Sequence, residues 1–341
     1  MGTNSKRAIT IKDIAAQAGV SSSTVSRVLS APGMVNENTR ERVYKIMEAL
    51  SFTPKPVMVA KSLSRICRIG VLLPFFVRDS FVERVRGITD TMPASDYEII
   101  LYTVTSQRQL DEYLATLSTE NWIDGLIVIG LNIPESARLR LKRAGLDVVL
   151  IQQTYPGFSG VSIDNVRGGR LAAEYLLNRG YRKFGFIGAF SSQPFTVSAT
   201  EDRLRGFRER LLEENERGAT TILDEAHVQV TELSLESTDI GIRPVFFSDD
   251  RPEAVFAASD TIAVRVMKEA LDRGLQVPND LAVLGFDNLE IADLMNLTTV
   301  SQHLHHSGKI AAEMLMKGLQ ERVSIHNNVV IDLEVVERRS C

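Results

Sequence analysis

At 341 residues with 44% apolar side chains, the chain exceeds one comfortable hydrophobic core and should build two or more domains. No run approaches the roughly 20 consecutive apolar residues of a membrane span, and the opening MGTNSKRAITIKD lacks an apolar secretion signal, so no membrane association and a cytoplasmic location are expected. The net charge of −4 is unevenly spread: residues 1 to 68 hold 11 Lys or Arg against four acids, net +7, which leaves −11 for the rest. A basic head on an acidic body suits a phosphate-neutralising module joined to one that is not.

Three short helices fit residues 11 to 50. Thr10 stands at an N-cap with Asp13 three residues on, and Ile11, Ile14, Ala15 and Ala18 recur at helical spacing up to Gly19. Ser21 can cap a second helix carrying Val25, Val28 and Leu29, and Asn36 or Asn38 a third with Val43, Ile46, Met47 and Leu50 on one face. A small residue at a helix crossing, a turn glycine and valines facing the first helix are the requirements of a helix-turn-helix. Ala15, Gly19, Val20, Val25 and Val28 meet them.

Pro54 and Pro56 then interrupt helix, and 57–63 offers at most two turns beside Lys61 and Arg65, so 52–65 reads as a linker. From Ile66 the pattern alternates between apolar runs and amphipathic stretches, as parallel βαβ units do. Strands are predicted at 69–73, 98–102, 125–129, 148–151, 184–187, 254–257 and 282–286, enough for two open α/β subdomains with a cleft at their carboxyl ends.

The run TIKDIAAQAGVSSSTVSRVLSAPGMVNENTRERV, together with IGVLLP, WIDGLIVIG, VSIDNVRGGRLAAEYLLNRGYRKFGFIG, DRLRGF, AVFAASD, VLGFDN and LTTVSQ, closely resembles the lactose-repressor/galactose-repressor family of bacterial transcription factors over nearly the whole chain. The resemblance implies an N-terminal all-α helix-turn-helix head (1–51), a hinge (52–65) and an α/β core like the periplasmic sugar-binding proteins (66–341), built of two interleaved parallel-sheet subdomains that bind effector and dimerise.

In that family the second helix enters the major groove, which assigns base contacts here to Ser22, Ser23 and Arg27. Arginine can grip guanine O6 and N7 together, while serine discriminates less. Thr24, Ser26 and Asn36 are assigned to phosphates, and Thr10, Ser21 and Lys61 complete the DNA-facing set. Leu63 is the candidate minor-groove wedge of a hinge helix. It lies seven places after Pro56 but nine after Pro54, two residues more than the family spacing from the aromatic Phe52.

Effector contacts map by resemblance to Phe81, Asp164, Arg203, Ser259, Asp260, Asp287 and Gln302, with Phe75 and Phe76 as extra stacking surface where the family often has Asp and an aliphatic residue. An arginine fork and a carboxylate can hold vicinal hydroxyls while an aromatic face covers a sugar ring. A sugar or sugar derivative is therefore the expected effector, with a purine as the alternative. Asp164 and Asp260 also read as helix N-caps, and the phenylalanines also as core.

No phosphate loop, nucleophile elbow or catalytic ordering is visible, and Cys67 and Cys341 have no partner at ligand spacing, so neither enzyme chemistry, a cofactor nor a zinc site is indicated. His303, His305 and His306 lack the i, i+4 spacing of a helical metal pair. The expected partners are double-stranded operator DNA, a small-molecule effector and a second copy of the chain. Two heads suit a pseudo-palindromic operator, and the tail after Leu319 has no leucine heptads for a tetramer. A carbohydrate-binding receptor without DNA function and a two-domain α/β enzyme such as a carbohydrate kinase are the rival readings.

Overall fold

The computed structural model describes residues 11–30, 35–50, 66–75, 79–119, 122–232, 251–321 and 326–341. They fall into two compact units: the first reaches Arg68 and takes in Pro93–Glu98, and the second comprises Ile69–Met92 and Ile99–Cys341.

The first unit contains α1 (Ile11–Ala18), α2 (Ser22–Ser30) and α3 (Glu37–Ala49). The chain leaves α1 through Gly19 at φ +62°, a left-handed conformation that glycine adopts without a Cβ clash. Ser21 caps α2, its Oγ accepting from the Thr24 amide at 3.1 Å. Of the two asparagines available to α3, Asn36 is the cap, its Oδ1 accepting from the Asn38 amide at 3.0 Å. Ile14, Ala15, Ala18, Val25, Val28, Val43 and Met47 form one small core. Thr10 and the whole hinge segment 52–65, with Lys61 and Leu63, lie outside the described residues.

The rest of the chain is α/β. It runs β1 (Cys67–Pro74), α4 (Asp79–Thr91), β2 (Tyr97–Val104), α5 (Gln107–Leu117), β3 (Gly125–Ile129), α6 (Glu135–Arg143), β4 (Asp147–Ile151) and β5 (Ser159–Ile163). Next come α7 (Asn165–Asn178), β6 (Lys183–Phe190), α8 (Thr200–Glu216), β7 (Ile222–Glu232), β8 (Ala254–Ala257), α9 (Asp260–Asp272), β9 (Ala282–Asp287), α10 (Glu290–Leu294) and β10 (Thr298–Ser301). It closes with α11 (Leu304–Glu321), β11 (Asn328–Ile331) and β12 (Glu334–Val336).

The first sheet has the order β11-β5-β4-β3-β1-β2 and the second β12-β10-β9-β8-β6-β7. The interior pairs are parallel, with Ile69 beside Gly125 and Phe186 beside Phe256, and β12 joins β10 antiparallel. Because β11 returns to the first sheet and β12 to the second, the chain passes between the subdomains three times.

The seven strands read from the sequence are all present, and for the interior ones continuous apolar runs are the reason: GLIVI in β3 and AVLGFD in β9 are buried at every position, as strands covered on both faces must be, whereas β2 is a half-exposed edge strand. Five strands are additional. Their sequences carry polar or charged residues, such as TTVS in β10, which is wholly buried, and ILDEAHVQVTE in β7, an edge strand with an irregular register against β6. Neither gives a clean strand period.

Two helix pairs approach at glycines. A Cβ on Gly169 of α7 would lie 1.9 Å from the Arg203 carbonyl oxygen of α8, and one on Gly206 of α8 1.9 Å from that of Val166. In the other subdomain, a Cβ on Gly308 of α11 would lie 2.0 Å from the Arg84 carbonyl oxygen of α4, and one on Gly87 2.0 Å from that of His305. No side chain fits at such distances, so these glycines set how closely each pair packs and where the two arginines stand.

Candidate functional site

On α2, Ser22, Ser23 and Arg27 are exposed while Val25 and Val28 are fully buried beneath them. The Ser21 hydroxyl, besides capping the helix, lies 2.7 Å from that of Ser23 and 2.8 Å from that of Thr24, which fixes the first turn. The backbone of Ser26 belongs to α2, and its side chain is outside the described set. Asn36 uses its side-chain oxygen as the α3 cap. A rigid helix with hydroxyls and a guanidinium on its outer face offers the donors and acceptors that base edges and phosphates require.

The second constellation lies at the carboxyl ends of the second sheet. Arg203 Nη1 stands 3.9 Å from Asp287 Oδ1, and the two residues are 6% and 7% exposed. Sequence reasoning set this pair at a cleft mouth; it is instead buried, because the guanidinium reaches inward. Its Nη1 donates to the Ala258 carbonyl at 2.5 Å, its Nε to Asn165 Oδ1 at 3.0 Å, and its carbon sits 3.6 Å from the centre of the Phe286 ring. That ring ends an aromatic series from Phe184 through Phe207 and Phe256, with Phe184 and Phe207 edge to face at 5.8 Å. A cation over such a ring is attracted by its quadrupole, more strongly when desolvated.

Asp287 has φ +122° and Asn288 φ +57°. Non-glycine residues held there cost on the order of 1–3 kcal/mol each, and such strain concentrates at ligand clamps. The Gln302 amide donates to Asp287 Oδ1, and Arg84 Nη2 of α4 donates to Gln302 Oε1 at 2.9 Å. Hydrogen bonds thus join Arg84 of the first subdomain through Gln302 to Asp287 of the second, and the 3.9 Å ion pair extends the series to Arg203.

Asp260 is fully buried, accepting from the Leu289 amide at 2.7 Å and the Thr299 hydroxyl at 2.5 Å. It therefore anchors the start of α10, while Ser259 caps its own helix α9. Burial, and then the neighbouring Asp287 charge, push the Asp260 carboxyl up to about 8. Asp164 is an exposed cap of α7, accepting from the Arg167 amide at 2.8 Å. Phe81 is buried in α4, within reach of the Gly130 turn and Gln152, whereas Phe75 is 54% exposed. Arg203, Asp287 and Gln302 are thus drawn into one cluster with Asp260 at its edge, while Asp164 and Ser259 serve as helix caps.

Residues 10–55 match the model of bacterial regulatory proteins of the lacI family, and residues 173–341 match a periplasmic binding protein-like domain. The HTH-type transcriptional regulator RegA of Clostridium saccharobutylicum is 30% identical over 98% of this chain and 99% of its own length. The chain belongs to the lacI family. Another relative, the ribose operon repressor of Haemophilus influenzae, is 29% identical over 97% of this chain and 98% of its own. The solved transcriptional regulator CelR-cellobiose complex shares the fold, with a TM-score of 0.68 and 24% identity over 98% of this chain and 100% of that one.

This lacI-family regulator also carries a site residue that sequence reasoning missed. Arg84 is 2% exposed, and its Nε is buried with no hydrogen-bond partner. An arginine on an amphipathic helix ordinarily reads as surface. What could have exposed it is an internal correspondence: Arg84-Val85-Arg86-Gly87-Ile88 answers Arg203-Leu204-Arg205-Gly206-Phe207, and Gly308-Lys309-Ile310-Ala311-Ala312-Glu313 answers Gly169-Arg170-Leu171-Ala172-Ala173-Glu174. The glycine crossings obey the same correspondence, so Arg84 occupies in one subdomain the place of Arg203 in the other. The histidines point to different partners, His305 to Asp90 at 2.9 Å and His303 to Glu334 at 3.6 Å. Among the described residues, no helix is long and apolar enough to cross a membrane.

Proposed function

We propose that this transcriptional regulator is a homodimeric repressor that reads its operator through α2 and releases or grips it according to a sugar or sugar derivative held at the Arg203–Asp287–Gln302 cluster. The observation that carries the reading is the buried chain from Arg203 to Arg84, which ties the two subdomains together where effector would bind. A ligand that reorganises it changes how the subdomains sit, and such rigid-body shifts are a common route from effector to operator. The sugar class is supported by relatives and neighbours whose names include a ribose operon repressor and a cellobiose complex, and by a donor fork beside a carboxylate, which suits vicinal hydroxyls. Dimerisation follows from the symmetry of operators read by paired heads. In the same reading Leu63 wedges the minor groove and Lys61 meets phosphate.

The DNA half is tested by selecting bound duplexes from a random library and repeating the selection with Arg27→Ala. The variant is expected to lose about 1–3 kcal/mol of operator affinity and its preference at one base pair. Uniform weakening across all operator variants contradicts base reading by Arg27.

A further inference from the structure

Arg84 distinguishes this effector site, and its surroundings specify a ligand chemistry. Its Nη1 donates to the Ser80 carbonyl at 3.0 Å and its Nη2 to Gln302 at 2.9 Å, which leaves the buried Nε without a partner. Buried donors of this kind are rare in finished structures because each carries its full desolvation penalty. Burial brings the guanidinium down to about 10, with Asp287 acting against the shift and Arg203 with it, so it remains charged at neutral pH.

Arg84 and Arg203 share Asp287, while Asp260 is biased toward its neutral form by burial and by that same carboxylate. An anionic group on a ligand would give the buried Arg84 guanidinium a partner of its own, which a neutral sugar does not. Phe81 stands three residues before Arg84 on the same face of α4. Beside it, Gln152 Oε1 is a buried acceptor without a partner. The first subdomain thus offers an aromatic edge, an open acceptor and a cation.

Resting on the proposed sugar control, we infer that the effector is an acidic sugar: its carboxylate or phosphate is seated by Arg84 from the first subdomain, while Arg203 and Asp287 hold its hydroxyls from the second. Planar guanidinium recognition suits either oxyanion, and the symmetric placement of the two arginines provides a grip at both ends of one small ligand.

The test is calorimetry and thermal shift on the full chain with matched ligands at equal ionic strength: glucose against glucuronate and glucose 6-phosphate, galactose against galacturonate, and ribose against ribose 5-phosphate. At least one acidic member is expected to bind about tenfold or more tighter than its neutral counterpart, as a charge-assisted contact provides, and Arg84→Gln should bring that ratio to within about threefold. The carboxylate and phosphate arms separate the two sources of the anion. Preference for neutral members, or an acidic preference that survives in Arg84→Gln, overturns the inference while leaving sugar control intact; silence of the whole panel overturns both. Should Arg84→Gln fail to fold, the comparison within each pair on the unmodified chain decides alone.

Discussion

Replacing Arg203 with alanine is expected to lower folding stability by about 3–5 kcal/mol and to abolish effector control of operator binding. The loss has several parts. Asp287 loses its 3.9 Å counter-ion while remaining buried, the Ala258 carbonyl and Asn165 lose their donors, and the Phe286 ring loses the cation above it. Buried acceptors that lose a charged donor are costly to leave because no water takes its place, even though Gln302 still donates to Asp287. Arg203→Lys keeps the charge without the fork, so it should fall between wild type and alanine. Urea denaturation measures the first effect and effector titration of operator binding the second. A stability change below about 1 kcal/mol, the value of an exposed ion pair, would show that the cluster is solvated in solution.

Phe195→Ala is expected to cost a similar amount, about 3–5 kcal/mol, and to loosen the two subdomains. Phe195 follows β6 of the second sheet yet is 1% exposed within the core of the first, beside residues such as Leu131, Ile133 and Leu150. It is a peg from one subdomain seated in the other. The backbone on either side is tied as well: the Asn132 amide donates to the Phe195 carbonyl at 2.8 Å, the Asn132 side chain to Pro194 and Thr196 at 3.1 and 3.0 Å, and the Val197 amide to Gly130 at 3.0 Å. Truncation leaves a cavity that these bonds keep from collapsing, and incomplete relaxation makes large-to-small changes expensive. Denaturation gives the stability change. Hydrogen exchange at 126–133 should rise, since local opening follows lost apolar contact. Unchanged protection there would contradict the peg.

The head was legible in the sequence because its determinants are local. Capping serines and asparagines, a turn glycine and valines at helical spacing each act within one or two turns, and α1 to α3 follow them. The inner strands were legible for a related reason: a strand covered on both faces is a continuous apolar run, as in β3 and β9. The edges were not. β7 is a polar edge strand, and TTVS in β10 is buried by its neighbours with no pattern of its own.

Within the candidate site, Arg203, Asp287 and Gln302 were assigned from family motifs, but their burial depends on Phe286 and on helix crossings that no single motif encodes. Arg84 escaped because an arginine on an amphipathic helix reads as surface, and Phe195 because it packs in the core of the subdomain to which its sequence neighbours do not belong. Only the repeated Arg-x-Arg-Gly and Gly-[Lys/Arg]-x-Ala-Ala-Glu strings pointed to Arg84.

Allosteric control by a small molecule is a coupling free energy, and coupling is reciprocal. The decisive measurement is the operator affinity of the full chain at fixed salt, with and without the sugar ligand that most raises its thermal midpoint. Operator affinity should change by roughly 5- to 150-fold, and operator should change the affinity for that ligand by the same factor. A ligand that binds the Arg203 cluster and leaves operator affinity unaltered would contradict the account.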